Sequence, residues 1–115
     1  MKFTTSLTKN YEFRRLYNKG KSAASKYAAV YCLKNGSTKN RLGITVSTKL
    51  GGAVQRNRIR RRLKEIYRLN EHSLYTGYSI VIVARTASKN VAWNELVNSV
   101  LSLLKKLNLL ANKDF

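Results

Sequence analysis

The sequence contains no proline, one cysteine, one histidine and five acidic residues among its 115 positions. The single cysteine, Cys32, cannot form a disulfide within the chain, and its apolar surroundings predict a small core residue. Zinc binding by Cys32 and His72 alone is not expected either, because zinc sites need three or four protein ligands. The cysteine usage therefore predicts a cytoplasmic protein without a metal site of this kind.

Long apolar runs are also missing. None reaches the roughly 20 residues of a membrane-spanning helix, and the first residues lack the continuous apolar region of a signal peptide, so we expect no membrane partner. Hydrophobic residues make up 43% of the chain, and a chain of this length buries roughly 65% of its unfolded surface. We expect a single domain over residues 1–115, with an ordered core from about 7 to 107 and mobile ends.

The scarcity of acids leaves the chain with a net charge of +18 at pH 7, from 23 Lys and Arg against five Asp and Glu. Repulsion of this size destabilises a compact protein, and a bound polyanion relieves it. A two-metal nuclease needs several converging carboxylates, whereas these acids are scattered, although folding could still gather distant ones. The composition predicts a protein that binds a polyanion, and the scattered acids argue against catalytic residues or a metal site of its own; the acids are Glu12, Glu65, Glu71, Glu95 and Asp114.

Hydrophobic periodicity predicts the order helix, strands, helix, strand, helix. Thr8 is the expected N-cap of a first helix that places Phe13, Leu16 and Tyr17 on one face and ends at Gly20. The strands are expected at Tyr27–Leu33, Leu42–Ser47 and Tyr78–Ala84, and the later helices at about Val54–Asn70 and Val91–Leu107.

The apolar run from Ile80 to Ala84 predicts a strand that is covered on both faces, as in a parallel sheet. The last helix is expected to bury one stripe, made of Trp93, Val97, Val100, Leu104 and Leu107. These elements predict an α/β sandwich of two or three layers, in which the second helix crosses between neighbouring strands.

The second helix carries the densest charge. Five of the seven residues from 56 to 62 are arginines and none is acidic, whereas a merely solvated helix face usually alternates acids and bases. Helical phase predicts a buried stripe of Ile59, Leu63, Ile66 and Tyr67 and an opposite, outward row of Asn57, Arg61, Lys64 and Arg68. Arginine favours bidentate phosphate contacts and stacking on bases. Charge and phase predict a nucleic acid as partner without saying which.

Three motifs narrow this prediction. The run from Ser47 to Glu65 has Ser and Lys, then Gly-x-Ala-Val-x-Arg-Asn-Arg, then further basic residues and Glu. It resembles the signature of the bacterial ribonuclease P protein family. Leu7–Gly20 is similar to the first helix of that family, and Leu42–Ser47 and Ile80–Arg85 fall where it has strands. The resemblance spans about residues 7 to 107.

The resemblance implies a fold and a division of labour. The fold is α/β, a single-domain sandwich of a central, mostly four-stranded sheet and three helices in the order α-β-β-β-α-β-α, with an unusual left-handed β-α-β crossover. In this family the RNA subunit removes the 5′ leader of precursor tRNA with its own Mg²⁺, held by that RNA and the substrate. The protein binds ribonuclease P RNA, one to one, and precursor tRNA; no DNA partner is implied.

The resemblance also implies roles for individual residues. The positions implied to face the RNA subunit and substrate are Lys49, Arg56, Asn57, Arg58, Arg60, Arg61, Lys64 and Arg68. Phe13, Tyr17 and Tyr31 match the aromatic positions of a cleft for the single-stranded leader, where base stacking tolerates any sequence. Plain core packing of these three rings stays an alternative.

Three positions depart from the family pattern. Thr48 stands where the family commonly has a basic residue, and Gly52 where it frequently has Asn. Arg62 replaces an apolar residue, and its aliphatic stem could cover the same apolar surface.

Three other functions stay open. A ribosomal protein or RNA chaperone would share the basic helix without needing an aromatic cleft. A DNA-binding regulator would need a helix before the basic helix, where a strand is predicted instead. A stand-alone nuclease is disfavoured by the scattered acids.

Overall fold

The computed structural model describes residues 1–111. Strands and α-helices follow one another as β1 (Thr4–Ser6), α1 (Asn10–Lys19), β2 (Lys21–Ala24), β3 (Ala28–Lys34), β4 (Asn40–Thr45), α2 (Ala53–Asn70), β5 (Tyr78–Ala84) and α3 (Trp93–Lys106). Short 3-10 turns occupy Thr48–Leu50, Glu71–Ser73 and Thr86–Asn90. After β1 the order is α-β-β-β-α-β-α, which confirms the expected arrangement of helices and strands.

The strands form one sheet in the order β1-β4-β5-β3-β2. β4 and β5 are neighbouring and parallel, and α2 connects them, so the expected crossover helix is confirmed; its left-handed sense stays a prediction. β5 pairs antiparallel with β3 on its other side, so the sheet is mixed rather than parallel. Its central position explains why Ile80, Val81 and Ile82 are all fully buried.

The sheet lies between two helical layers. The larger core joins one face of the sheet to α2 and α3. On the other face, Leu16 of α1 packs with Leu7 and Val81, and Phe13 and Tyr31 lie at the edge of this smaller cluster. Only one short helix covers this second face, so the half-buried residues Thr45 and Val83 remain partly accessible beside it.

The strand β1 is an addition to the expected sheet, which has five strands instead of mostly four. Thr4 pairs with Asn40 of β4, and Ser6 with Leu42. Residues 1–6 were expected to be a mobile end, but residues 4–6 form a strand of the sheet, because the edge of β4 offers unpaired backbone groups. Leu109, beyond the expected end of the core, is also buried. The expected mobile tail continues into residues 112–115, which lie outside the described residues.

Side chains hold β1 from the side of α2. The Glu71 carboxylate, 7% exposed, accepts hydrogen bonds from the backbone N–H groups of Lys2 (3.0 Å) and Phe3 (3.2 Å). The hydroxyl groups of Thr4 and Tyr67 lie 2.8 Å apart. The N-terminal strand is therefore fixed to α2 and to the turn that follows it.

Of the two expectations for the ends of α1, one was wrong and one was confirmed. Thr8 does not cap α1, which begins at Asn10 after Lys9 without a side-chain capping bond. Gly20 ends α1 as expected, in an extended backbone conformation with φ −74° and ψ 158°. A Cβ atom there would lie 2.6 Å from the carbonyl oxygen of Leu16 and 2.8 Å from that of Cys32, so glycine is needed because the chains approach closely.

The buried stripe of α3 is rotated about the helix axis relative to the stripe that was expected. Its buried residues are Leu96, Val100, Leu103 and Leu104, whereas Val97 and Leu107 are half-buried and Trp93 is 38% exposed. Leu96 and Leu103 belong to the larger core that α3 forms with the sheet. Trp93, at the first residue of the helix, is left at the border between α3 and α2.

Candidate nucleic-acid interface

The helix α2 is two-sided, as its sequence predicted. Ile59, Leu63, Ile66 and Tyr67 are its buried residues, which confirms the predicted stripe. The predicted outward row is exposed along its whole length; it consists of Asn57, Arg61, Lys64 and Arg68. Burial of the apolar stripe fixes the rotation of the helix and therefore dictates which charged side chains point to solvent.

Contacts within α2 engage some of its arginines and leave others without a partner acid in residues 1–111. An Arg60 nitrogen donates to the Asn57 side-chain oxygen at 2.9 Å, which ties Arg60 to the first half of the helix. Arg68 forms an ion pair with Glu65 one turn away, and this hydrogen bond lowers the pKa of Glu65 below its ordinary value. Arg68 is therefore partly neutralised, whereas Arg58, Arg61 and Lys64 have no ion pair among the described residues.

Two further predicted contacts lie near the start of α2. Lys49 is exposed in the turn between β4 and α2, and its backbone N–H donates to Ser47 Oγ at 3.1 Å. Arg56 is half-buried in the first turns of the helix. No acid occupies the first turn of α2, whose positive dipole end adds to the charge of these residues.

The three predicted aromatic residues are brought together in space. The ring centroids of Tyr17 and Tyr31 lie 4.9 Å apart, nearly perpendicular, and those of Phe13 and Tyr17 lie 6.5 Å apart. Phe13 and Tyr31 are half-buried, while Tyr17 is 40% exposed. We call these three residues the aromatic surface. It is continuous and partly open to solvent, so these rings are neither a closed core nor isolated side chains.

Two small residues of β4, Gly43 and Thr45, contact the aromatic surface from the sheet. Gly43 of β4 is paired with Val81 of β5, which is paired with Tyr31 of β3. A Cβ atom at Gly43 would lie 2.6 Å from the Phe13 ring. In the next row of the sheet, the Thr45 hydroxyl lies 3.1 Å from the Tyr17 hydroxyl, which fixes the Tyr17 ring over the sheet.

A groove of about 400 Å³ joins the aromatic surface to α2. The groove is lined by Met1, the strand β1, the Phe13 side chain, residues 42–44 of β4, and Arg60 and Lys64 of α2. The fold therefore places two predicted cations opposite a predicted aromatic residue. The other predicted cations do not line this groove: Lys49, Arg56, Arg58, Arg61 and Arg68 lie elsewhere on α2 or before it.

The acids of the described chain are dispersed. Glu12 pairs with Arg41 at 2.8 Å, Glu65 with Arg68, Glu71 with the N-terminal backbone, and Glu95 accepts from the Tyr27 hydroxyl at 3.1 Å. Residues 1–111 hold no group of three His, Cys, Asp or Glu that could bind a metal ion. The donor set in this part of the chain does not fit a protein-held Mg²⁺.

Sequence reasoning missed three features of the candidate interface: the strand β1, the close packing at Gly43, and the contact of Arg62 with Trp93. The strand β1, which walls the groove, is too short and polar to show strand periodicity. Gly43 had a usable signal, because a glycine inside an apolar strand often marks the close approach of another group. Arg62 was expected to cover the apolar edge of α2 with its stem, but its contact with Trp93 was not predicted.

No helix within residues 1–111 is long and apolar enough to span a membrane. An arginine-rich helix beside a partly open aromatic surface, on a chain of charge +18, defines a class: a small basic α/β protein with the surface features of a polyanion-binding domain. The family model described as Ribonuclease P matches residues 1–108. The chain belongs to the ribonuclease P protein family.

Individual relatives agree with this assignment. The ribonuclease P protein component of Alkaliphilus oremlandii is 44% identical over 96% of this chain and 96% of its own length. That of Clostridioides difficile is 44% identical over 92% of this chain and 94% of its own. The RNase P protein structure from Staphylococcus aureus matches with a TM-score of 0.84 at 34% identity, over 91% of this chain and 96% of that one. The Thermotoga maritima structure matches with 0.81 at 32% identity, over 89% and 96%.

Proposed function

We propose that this chain is the protein component of a ribonuclease P, binding the catalytic RNA subunit and the 5′ leader of precursor tRNA during tRNA 5′ maturation. The observation that carries the proposal is the groove in which Arg60 and Lys64 lie opposite Phe13. A single-stranded RNA offers phosphates and unpaired bases along the same strand, so it can contact both walls of the groove together.

The exposed side of α2 is proposed to bind the RNA subunit and the nearby substrate. Arg58, Arg61 and Lys64 are exposed without ion pairs among residues 1–111, and each can neutralise a phosphate with release of counterions. Lys49, Arg56, Asn57, Arg60 and Arg68 are assigned to the same interface. Asn57 also orients Arg60, so its contribution includes positioning of that cation.

The aromatic surface is proposed to bind the leader. An unpaired base can stack on Tyr17, whose ring is exposed and is fixed by Thr45. Stacking does not depend on base identity, which suits leaders of differing sequence. Mature tRNA lacks the leader, so this surface would distinguish precursor from product.

Hydrolysis is proposed to take place on the RNA subunit, with Mg²⁺ held by that RNA and the substrate. The dispersed acids support this division, since each carboxylate in residues 1–111 is engaged by another group of the protein. The protein's residues bind and position the RNA strands. We further propose a one-to-one complex with the RNA subunit, in the cytoplasm.

The test is reconstitution with the ribonuclease P RNA of Clostridioides difficile, whose protein component is 44% identical to this chain. At low Mg²⁺ concentration the chain should accelerate cleavage of precursor tRNA at the leader junction, and alone it should cleave nothing. Absence of stimulation would contradict the proposed function, and cleavage by the chain alone would contradict the division of labour. Mass photometry of the complex measures its stoichiometry.

A further inference from the structure

Trp93 is an exposed tryptophan bordered by arginines. It stands at the first residue of α3 with 38% of its surface exposed. Arg62 of α2 lies over its ring, with the guanidinium carbon 5.8 Å from the ring centroid. An Arg62 nitrogen also donates a hydrogen bond to the carbonyl oxygen of Val91 at 2.8 Å, which anchors the guanidinium beside the start of α3. The aromatic ring and the cation are therefore held in a fixed relation.

The surroundings of this pair are a shallow, basic surface. A groove of about 410 Å³ is lined by Arg58, Arg61, Arg62, Glu65 and Trp93. The acid in this groove is already paired with Arg68, so the arginines dominate the local field. A narrower crevice adjoins at Arg58 and Arg62, and Lys89 supplies a further cation there.

This groove is separate from the one that holds the aromatic surface. Arg60 and Lys64 line the groove beside Phe13, whereas Arg58, Arg61 and Arg62 face α3, and the two grooves share no residue. At about 100° per residue, Arg60 and Arg62 point to opposite flanks of α2. The helix thus separates two surfaces, each with cations beside an aromatic ring.

We propose that Trp93 and the arginines facing it form a second RNA site, which binds one unpaired nucleotide. The base stacks on the indole ring, and the adjoining phosphates lie between Arg58, Arg61 and Lys89. Arg62 occupies one side of the ring, so the base approaches from the solvent side. The inference rests on the chain's binding RNA, as proposed above, but not on the aromatic surface as the leader site.

Charge and exposure favour an RNA strand over the other possible occupants. A second copy of a chain of charge +18 would be repelled from a groove with three arginines. A purely structural role for Trp93 would account for the contact with Arg62, but not for an indole ring that is left open beside unpaired cations. Stacking together with phosphate contacts is the common mode of recognition for unpaired nucleotides.

Trp93 is the only tryptophan of the chain, so its fluorescence reports directly on the site. The experiment titrates the protein with a single-stranded adenine decamer of RNA and with an abasic decamer of the same length. Anisotropy of the same two oligonucleotides, labelled with fluorescein, measures binding in parallel. We expect both to bind and the adenine decamer to quench Trp93 emission much more strongly, because only it carries bases that can stack.

Three variants separate the site from general RNA binding. Trp93→Ala should weaken affinity for the adenine decamer about tenfold, the loss of one base–aromatic stack, and Trp93→Phe should retain most of it. Tyr75→Ala is the matched control, since Tyr75 is 48% exposed and lines neither of the two grooves beside α2; the affinity of this variant should not change. Thermal unfolding of each variant checks the fold.

The outcomes are distinct. Saturating anisotropy without a difference in quenching between the two decamers would overturn the second site, even if Trp93→Ala failed to fold. Equal affinities of folded Trp93→Ala and Tyr75→Ala would overturn it too. An anisotropy that never changes would contradict RNA binding and both proposals together. Failure of the leader proposal alone would leave the quenching intact and would show as unchanged precursor affinity in Tyr17→Ala.

Discussion

Gly43 provides the space that the Phe13 ring occupies. Because a Cβ atom there would lie 2.6 Å from that ring, any other residue would push Phe13 away from the sheet. This single missing side chain lets α1 approach β4 while its aromatic residues stay beside the groove. Phe13 is therefore both a packing residue and a wall of the groove, and its truncation would mix losses of stability and of binding.

Tyr17 allows a cleaner test of the aromatic surface, because it is 40% exposed and the smaller core does not depend on it. Tyr17→Ala should reduce affinity for precursor tRNA by about 1–3 kcal/mol, the value of one base stack. Affinity for mature tRNA should hardly change. Equilibrium binding of the reconstituted holoenzyme to both tRNAs measures this, with Tyr75→Ala as the control. Equal losses of affinity for both tRNAs would mean that Tyr17 supports packing and does not bind the leader.

At the scale of elements, the strand β1 depends on a charged contact. Burial by itself raises the pKa of Glu71, but hydrogen bonds from Thr4, Lys2 and Phe3 and the nearby N-terminal ammonium lower it, and the lowering prevails. The folded-state pKa therefore lies below the ordinary value of about 4.5. Such a carboxylate stabilises the fold above its unfolded-state pKa, and this contribution is lost as the pH falls through the folded-state value.

The corresponding variant is Glu71→Gln. At pH 7 it should lower the free energy of unfolding by about 1–2 kcal/mol, because charge-assisted hydrogen bonds become neutral ones. The difference from the unmodified chain should shrink as the pH falls below 4.5. Urea denaturation at a series of pH values measures it. Glu95→Gln, at an exposed acid, is the control with little effect; a pH-independent difference would argue against the carboxylate contact.

The basic helix predicts a salt dependence. Arg61→Ala should reduce the slope of log affinity for the RNA subunit against log salt by about the contribution of one phosphate contact. Lys106→Ala, at the exposed C-terminal end of α3, removes the same charge away from α2 and should leave the slope nearly unchanged. Filter binding at several salt concentrations measures both. Equal slopes for the two variants would mean that α2 is not the RNA face.

At the scale of the whole molecule, the charge of +18 opposes folding, and bound anions should relieve it. Sulfate should raise the melting temperature above that in chloride at equal ionic strength, since anions that bind the folded state stabilise it by mass action. Differential scanning fluorimetry over a sulfate titration measures the rise. A saturable curve indicates binding to sites on the folded protein, and identical curves in the two salts would contradict it.

Sequence reasoning was most successful where periodicity and burial agree. The buried stripe of α2 was predicted residue by residue, because its apolar residues from Ile59 to Tyr67 keep helical spacing over about two and a half turns. On α3, leucines and valines lie on several faces, so periodicity did not single out the stripe that is buried. Packing on the sheet buries Leu96 and Leu103 and leaves Trp93 exposed. Gly20 was correctly predicted to end α1, but its close approach to Leu16 and Cys32 is not visible in sequence.

The sequence by itself determined the charge, the two-sided basic helix, the order of the main elements and the family, since these depend on residue type and on spacing along the chain. Only the tertiary structure decided which groups share a groove. It placed Phe13 opposite Arg60 and Lys64, added residues 4–6 as an edge strand, and set Trp93 against Arg62. Each of these contacts joins residues about 30 or more positions apart. Local periodicity cannot encode such contacts, because they arise when separate elements pack on one sheet.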